Sequence, residues 1–337
     1  MIVDAEMTAP RVSHDVSALK FSDLYLEPGD IAWFKRNARD KQRNVVPVNL
    51  LASVTELRSN LSGHPTGFDF RANWEDVEIR VQRLETLDGD VFVCRRLLPR
   101  PIAFNVLGYP PRLQEALLSP VFSKGGLLVF AGASSEGKSM SLASWLVARM
   151  RKFGGTACTI ENPIEIRLQG QYSSDDGKVI GTCYQNPAEN DAQFGPLIVR
   201  MLRAAPNIMM LGEIRTRDAA AEAILAAASG HLVGITIHAK SVAAALERLH
   251  NMVSDSGIDT GMLADALCGI IHQEMDVAVD ANGQDKVSLR VSPLIVAGAT
   301  NETSSRNHVR SGKFTALASE IERQRNISSG LAEMSRF

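Results

Sequence analysis

The segment from Gly125 to Met150 constrains the fold of this chain more than any other part of its sequence. A short apolar run, Leu127–Phe130, leads into the octapeptide GASSEGKS, and a helical pattern then continues to Met150. The octapeptide fits G-x-x-x-x-G-K-[ST], whose glycines let backbone N–H groups turn inward on a phosphate while the following helix presents its positive N-terminus. This context indicates a phosphate-binding loop rather than an ordinary glycine-rich turn.

The residues of this loop are the first candidates for a nucleotide site. Lys138 would reach the β- and γ-phosphates, and the hydroxyl of Ser139 would ligate Mg²⁺. Glu136 is unusual here, because a negative charge beside bound phosphate costs energy unless its side chain points to solvent. The predicted cofactor-binding residues are those of the loop and the residue after it: Gly132, Ala133, Ser134, Ser135, Glu136, Gly137, Lys138, Ser139 and Met140.

Apolar runs and helix-like segments alternate through the rest of this half of the chain. Further short apolar runs occupy residues 156–160, 208–211 and 232–237. Helix-like segments separate or follow them at Asp218–Ser229, Val242–Val253 and Met262–Gln273. Buried strands that alternate with helices predict an α/β fold with a mostly parallel sheet and helices on both faces.

Hairpins and short strands are predicted at the two ends of the chain. Asn282-Gly283 predicts a hairpin turn between strands at 275–279 and 287–296. In the N-terminal part, strands are predicted at 31–35, 77–84 and 91–98, with a helix at 50–61 and a hairpin turn at Asp88-Gly89. The proline-containing run PRPIAFNVLGYPPR then predicts a linker to a second domain.

Carboxylates and a histidine follow three of the predicted buried strands. Glu161 ends the run at 156–160, Glu213 follows 208–211, and His238 follows 232–237. The carboxyl ends of parallel strands are where such sheets bind ligands, and a nucleotide hydrolase needs an acidic group there to hold Mg²⁺ or polarise water. The alternatives are that each carboxylate only caps the next element and that His238 is a hydrogen-bonded structural histidine.

Composition excludes several classes of protein. Lys and Arg total 36 against 38 Asp and Glu, a net charge of −2, which argues against binding a polyanion by bulk charge. The longest apolar stretches are shorter than the ~18–20 residues of a membrane span, and we expect no signal peptide. The cysteines form no C-x-x-C pair, which excludes a zinc ribbon and fits a reducing cytosol.

Four sequence boxes together resemble those of the secretion-motor ATPases, the superfamily that includes PilT, GspE and the type IV secretion ATPases. In order, they are GASSEGKS, TIENPIE, IMMLGEIR and SGHLVGITIH. The second is similar to the family's aspartate box, the third to its Walker B segment and the fourth to its histidine box. The short length and the absence of a tetracysteine zinc site are typical of a divergent PilT-like or DotB-like member rather than an assembly ATPase.

The resemblance implies a homohexameric ring ATPase in the cytoplasm that binds ATP and Mg²⁺ and works with inner-membrane platform or secretion-complex proteins. Membrane association would be peripheral, through those partners, and no direct nucleic-acid partner is expected. The implied fold is an N-terminal PAS-like α/β domain followed by a RecA-like P-loop NTPase domain. The implied segments are a flexible N-terminus at 1–20, the PAS-like domain at 21–103, a linker at 104–113, the ATPase core at 114–310 and a helical tail at 311–337.

The resemblance also assigns roles to single residues. Glu161 becomes the general base for the attacking water, Glu213 the Walker B acid that holds Mg²⁺ through water, and His238 a contact of the γ-phosphate. Arg80, Arg96 and Arg203 become candidate charge stabilisers, some of them acting on a neighbouring subunit's nucleotide.

Two departures from the family pattern keep alternatives open. Ser135 and Glu136 replace a glycine and a serine of the usual loop, and Asn162 stands where the aspartate box has an aspartate. These changes motivate a nucleotide-binding scaffold that does not hydrolyse. A RecA-like nucleic-acid motor would share the fold, but no basic stretch interleaved with aromatic residues supports it.

Overall fold

The computed structural model describes residues 16, 19–37, 40–63, 67–75, 77–279 and 285–330. The chain divides into two compact units, Met1–Pro99 and Arg100–Phe337. Most of the predicted flexible N-terminus, the predicted turn at Asn282-Gly283 and the last residues of the predicted tail lie outside the described residues.

The first unit contains a six-stranded antiparallel sheet with the strand order β3-β2-β1-β6-β5-β4. Its elements are β1 (Asp23–Glu27), β2 (Ile31–Lys35), β3 (Asn44–Val45), α1 (Leu51–Ser62), β4 (Asp69–Trp74), β5 (Val77–Thr86) and β6 (Gly89–Arg96). Helix α1 buries Val54, Leu57 and Leu61 in the core of this unit. The predicted strands and the helix at 50–61 are confirmed here, with ends shifted by one or two residues.

The second unit is built on an eight-stranded sheet with the order β14-β13-β7-β12-β11-β8-β10-β9. Its strands are β7 (Gly126–Gly132), β8 (Gly155–Glu161), β9 (Gly170–Ser173), β10 (Val179–Pro187), β11 (Ile208–Glu213), β12 (Leu232–His238), β13 (Leu267–Val279) and β14 (Asp285–Ile295). Its helices are α2 (Pro111–Leu117), α3 (Lys138–Phe153), α4 (Phe194–Leu202), α5 (Arg217–Ala228), α6 (Val242–Ser256), α7 (Gly261–Ala266), α8 (Glu302–Arg310) and α9 (Ala318–Ser328).

Strands β13, β7, β12, β11, β8 and β10 run parallel, and antiparallel β14 and β9 close the two edges. Helices return the chain to the same edge before β8, β11, β12 and β13, whereas in the sequence β9 lies between the parallel strands β8 and β10. The predicted α/β fold is therefore confirmed. All of these parallel strands point their carboxyl ends toward one edge, which we call the carboxyl edge.

Apolar cores cover both faces of this sheet. One core joins Leu127, Ile160 and Leu211 to the alanines of α5 and to α6, α7 and α8, while the other joins Leu128, Phe130 and Met210 to α2 and α3. Each residue of β7 is buried, which is what a central strand with helices on both faces requires. The alanine-rich α5 lies close to the sheet because its side chains are small.

The predicted helix at 262–273 is wrong in its second half. Helix α7 ends at Ala266, and Leu267–Ile271 begins strand β13, which pairs in parallel with β7 and antiparallel with β14. The apolar run at 267–271 is compatible with a helix and with a buried strand. It forms a strand here because it pairs with both β7 and β14. The pairing of β13 with β14 confirms the hairpin predicted there.

The segment predicted as a linker, 104–113, lies in the second unit, and buried residues alternate with exposed ones along it. Phe104, Tyr109 and Leu113 are buried in the core that contains α3, because their apolar side chains fill the space between α2 and the sheet. The two compact units divide at Pro99, before the predicted linker begins. The finer domain boundaries and the PAS-like assignment stay predictions.

Candidate active site

The loop between β7 and α3 has the backbone of a phosphate cradle. Ser135 has a φ of 63° and Gly137 a φ of 76°, so both lie in the left-handed region that lets N–H groups on successive peptides converge. Helix α3 begins directly after the loop and runs for 16 residues. The side chains of Ser134 and Ser135 are exposed, so the mouth of the loop is open.

Lys138 lies at the first position of α3 and is only 8% exposed. Its Nζ donates a hydrogen bond to the carbonyl oxygen of Ala133 at 2.7 Å, which holds the ammonium over the loop. Burial lowers the pKa of Lys138 below its usual value. Three carboxylates raise the pKa of Lys138 electrostatically and so oppose the effect of burial. In decreasing order of their effect, they are Glu213, Glu136 and Glu165. Glu213 is therefore the carboxylate with the largest electrostatic effect on Lys138.

Glu136 does not need solvent to accommodate its charge. Its carboxylate accepts a hydrogen bond from the backbone N–H of Met275 on β13. Its carbonyl oxygen accepts a second bond, from Nε2 of Gln273, at 2.5 Å. The side chain is thus held by the neighbouring strand rather than by solvent alone.

Glu213 ends β11 at the carboxyl edge. Its Oε2 accepts a hydrogen bond from Nη2 of Arg215 at 3.0 Å, and Arg215 also lies 3.6 Å from Asp191. The hydrogen bond to Glu213 raises the pKa of Arg215, so this guanidinium is charged at every physiological pH. Arg215 is a basic group close to Lys138 that the sequence prediction did not assign.

Glu161 ends β8 and is 6% exposed. Its Oε1 accepts hydrogen bonds from the hydroxyl of Thr159 at 2.6 Å and from Nε2 of Gln185 at 2.9 Å. Oε1 of Gln185 accepts bonds from the backbone N–H groups of Leu168 and Gln169, which fixes the amide so that its nitrogen faces Glu161. The carboxylate is therefore held as an acceptor in one orientation.

His238 ends β12, beside the start of the phosphate loop. It lies opposite Gly132 in the register of β12 with β7, and its carbonyl oxygen accepts a hydrogen bond from Arg248 at 3.1 Å. In the register of β11 with β12, Glu213 lies opposite Thr236. The last residues of β7 and β12 thus lie side by side at the carboxyl edge, and Glu213 lies two positions earlier in the register of β12, at the edge where the sequence placed the site.

The three arginines predicted to stabilise charge on the nucleotide lie in the first unit and at the end of α4. Arg80 forms an ion pair with Asp69, and Arg96 donates to the carbonyl oxygen of Leu19, both inside the first unit. Arg203 is exposed at the C-terminus of α4, shortly before β11 begins. Glu213 lies at the far end of that strand, whose extended backbone is about 20 Å long, so Arg203 is remote from Glu213.

Several residues at the site were missed by the sequence prediction. Gln185, Gln273 and Tyr109 belong to no motif, and each acts through contacts with a distant segment. The polar pair His272-Gln273 inside the apolar run CGIIHQEM is the signal that could have marked β13. Burial lowers the pKa of His272, which is therefore neutral at pH 7.

The donors at the carboxyl edge fit a nucleotide and Mg²⁺. A hydroxyl on Ser139 and a carboxylate on Glu213 are hard oxygen ligands of the kind Mg²⁺ takes when phosphates complete its shell. A Cβ on Gly132 would lie 2.6 Å from the carbonyl oxygen of Gln273, so only glycine lets the loop start this close to β13. Among the described residues, no group of three or more His, Cys, Asp or Glu side chains forms a metal site made by protein alone.

Helices within the described part of the chain include none whose length and apolar character suffice for a membrane span.

A family model described as type II/IV secretion system protein matches residues 64–329. The type IV pilus assembly ATPase PilB of Acinetobacter baylyi is 27% identical over 303 residues, which cover 86% of this chain and 50% of that relative. The protein transport protein HofB homolog of Haemophilus influenzae is 30% identical over 239 residues, 69% of this chain and 47% of the relative. The chain thus spans about half the length of the curated relatives it matches.

Solved structures share the fold over nearly the whole chain. The ATPase DotB of Legionella pneumophila superimposes with a TM-score of 0.65 at 19% identity, covering 94% of this chain and 91% of DotB. The pilus retraction motor PilT, solved with bound ADP, gives a TM-score of 0.66 at 21% identity, covering 90% and 86%. The predicted P-loop ATPase fold is confirmed by these likenesses.

Proposed function

This chain belongs to the type II/IV secretion system protein family, and on that premise we propose that it is a ring-forming motor that hydrolyses ATP to drive a type IV secretion, conjugation or pilus machine. The observation that carries the proposal is the cluster at the carboxyl edge. The carboxylate of Glu213 acts electrostatically on the ammonium of Lys138, and β8 and β12 end in Glu161 and His238 at the same edge.

Binding of ATP uses groups that the loop already presents. N–H groups of the loop and the ammonium of Lys138 would hold the phosphates, and Ser139 with Glu213, the latter through water, would hold Mg²⁺. When bound, the ion neutralises charge on the β- and γ-phosphate oxygens. His238 lies beside the start of the loop, where its side chain would contact the γ-phosphate.

Hydrolysis needs a base for the attacking water, and Glu161 is the proposed one. Its carboxylate would take a proton from the water as the water oxygen bonds to the γ-phosphorus and the bond to the β,γ-bridging oxygen breaks. ADP leaves with the electron pair of that bond. Thr159 and Gln185 keep Oε1 of Glu161 in place, so the carboxylate does not have to reorganise during the reaction.

Negative charge spreads over the transferring phosphoryl group in the transition state, and cations in addition to Lys138 and Mg²⁺ would stabilise it. The candidates that the sequence offers outside the loop are Arg80, Arg96 and Arg203. Arg80 and Arg96 have hydrogen-bond partners in the first unit, and Arg203 is exposed and remote from Glu213. We infer that at least one of them acts on the nucleotide of a neighbouring subunit. We therefore propose a homo-oligomer, with six copies as the resemblance implies, held at the cytoplasmic face of the inner membrane by platform or secretion-complex proteins.

Subunit mixing tests this arrangement. Arg203→Ala and Lys138→Ala are each expected to lower ATP turnover when assayed alone, because each removes charge stabilisation from every site. In a ring assembled from both variants, some interfaces combine an intact Lys138 with an intact Arg203 from the next subunit. Phosphate release above the sum of the two separate variants is therefore expected.

Mixing that restores no activity would contradict a role for Arg203 on the neighbour's nucleotide. The same mixing with Arg80→Ala or Arg96→Ala in place of Arg203→Ala then identifies which arginine acts between subunits. Turnover that DNA stimulates, with a steep salt dependence, would instead favour a nucleic-acid motor.

A further inference from the structure

Hydrogen bonds outside the family's sequence boxes connect the phosphate loop to β13 and to the segment before α2. The hydroxyl of Tyr109 lies 2.6 Å from Oε1 of Gln273, and Nε2 of Gln273 lies 2.5 Å from the carbonyl oxygen of Glu136. Tyr109 is 3% and Gln273 1% exposed, so the bond between their side chains is shielded from water, while the bond to the Glu136 carbonyl is partly buried. We call Tyr109 and Gln273 the loop brace.

The direction of each bond in the brace follows from the chemistry of its partners. A carbonyl oxygen only accepts, so the Gln273 atom facing Glu136 is the amide nitrogen. Oε1 of Gln273 must then face Tyr109, whose hydroxyl donates. Burial raises the pKa of Tyr109, with a hydrogen bond from Ser141 opposing the shift, so the hydroxyl keeps its proton.

The brace sets the orientation of one peptide group in the loop. In a trans peptide the C=O and the following N–H point in opposite directions. Because Gln273 holds the carbonyl of Glu136 toward β13, the N–H of Gly137 points away from β13, toward the open side of the loop. The left-handed φ of Gly137 keeps that orientation compatible with the start of α3.

Two further contacts show that the loop and β13 fit closely here. The N–H of Met275 binds the carboxylate of Glu136, two residues along β13 from Gln273. The carbonyl oxygen of Gln273 lies 2.6 Å from the position that a Cβ on Gly132 would take. The beginning and the end of the loop thus both rest on the same short stretch of β13.

We propose that Tyr109 and Gln273 are positioning residues, which hold the Glu136–Gly137 peptide so that the Gly137 N–H is aimed at the nucleotide phosphates before the nucleotide arrives. This inference rests on the proposed function, since it names residues that prepare the same nucleotide site. The brace touches no reacting atom, so its effect is expected on nucleotide affinity more than on the chemical step.

Two variants weaken the brace without inserting bulk. Gln273→Leu leaves the partly buried carbonyl of Glu136 without its amide partner, and the dissociation constant for ADP and the KM for ATP are expected to rise roughly 10-fold, with a smaller change in kcat. Tyr109→Phe removes one hydroxyl and keeps the ring, so a rise of roughly 2- to 5-fold is expected. Calorimetric titration with ADP gives the affinities, and phosphate release gives the kinetic constants. Gln171→Leu on exposed β9 is the matched control and is expected to match the unmodified chain.

A third variant separates orientation of the loop from general damage to the core. The carboxyl group introduced by Gln273→Glu donates to the Glu136 carbonyl only while it is protonated. Burial is expected to raise the pKa of the introduced carboxyl group above the usual glutamate value, so the group is expected to be protonated in mildly acidic solution. The affinity of Gln273→Glu for ADP, relative to that of the unmodified chain, is expected to fall at least 5-fold between about pH 5 and about pH 8. The same ratio for Gln273→Leu is expected to stay constant.

The outcomes distinguish this inference from the proposed function. If the unmodified chain binds and hydrolyses ATP while Gln273→Leu and Tyr109→Phe bind ADP with unchanged affinity, the brace has no positioning role and the proposed function stands. If the unmodified chain binds no nucleotide, both are wrong. Weaker ADP binding by folded variants, as judged from thermal unfolding without nucleotide, together with the pH dependence of Gln273→Glu, supports the brace.

Discussion

Replacing Lys138 with alanine is expected to reduce ATP turnover by at least about 100-fold, because the ammonium is the cation closest to the predicted position of the β- and γ-phosphates. The side chain is buried and held by the carbonyl of Ala133, so its charge reaches a bound phosphate with little screening by water. The affinity for ADP is expected to fall as well, since a charge-assisted hydrogen bond to phosphate is lost. Phosphate release and calorimetric titration with ADP measure the two effects.

The matched control is Lys124→Ala. Lys124 is exposed shortly before β7 begins, at the opposite end of the strand from the loop. Its removal changes the net charge by the same amount and is expected to leave turnover within about 2-fold, because charge effects between exposed groups fall off over a Debye length. Equal turnover in Lys138→Ala and the unmodified chain would contradict the proposed nucleotide site.

The substitution Glu161→Gln is expected to reduce turnover by roughly 10²- to 10⁴-fold, the range for loss of a general base. The amide has nearly the same shape, and its oxygen can still accept from Thr159 and Gln185. ATP binding is therefore expected to persist, so the variant should hold ATP without releasing phosphate. Single-turnover measurements with labelled ATP separate the retained binding from the lost chemistry.

Glu189→Gln is the control for this substitution. Glu189 lies in the exposed segment after β10, and its carboxylate accepts a hydrogen bond from the nearby Gln193. Its replacement is expected to leave turnover unchanged. If Glu161→Gln hydrolyses ATP at the normal rate, then Glu161 is not the base, and its hydrogen bonds to Thr159 and Gln185 have a structural role only.

The parts of the site that the sequence predicted are those encoded by neighbouring residues. The phosphate loop needs a strand, a few residues with special backbone angles and a helix, all within Gly126–Phe153. Glu161, Glu213 and His238 each end a short apolar run, and parallel pairing alone brings such strand ends to one edge. Local patterns were therefore sufficient for these positions.

The partners of those residues depend on contacts between distant segments. Met275 lies 139 positions from Glu136 and Tyr109 lies 164 positions from Gln273, so no local pattern connects them. The error at 262–273 hid this relation, because a helix there would have placed Gln273 away from the sheet. Glu136 was interpreted as a liability for the same reason, since its stabilising N–H donor belongs to β13.

The linker prediction illustrates a different limit. Prolines around Ala103 and Tyr109 indicate a break in regular structure, and the structure indeed has no long helix or strand there. A break in secondary structure does not imply exposure, however, and Tyr109 is buried against Phe104 with ring centroids 5.4 Å apart. Burial of such a segment is decided by the second unit's core, which sequence periodicity does not report.

ATP hydrolysis by an assembled ring is tested by phosphate release from ATP by the full chain in the presence of Mg²⁺, followed over a range of protein concentrations together with the mass of the assembled species. Turnover per chain is expected to rise with the assembled fraction, because the proposed charge-stabilising arginine acts on a neighbouring subunit's nucleotide, and to stop when Mg²⁺ is chelated. Nucleotide that binds but releases no phosphate at any concentration would contradict the account and identify the chain as a non-hydrolysing scaffold.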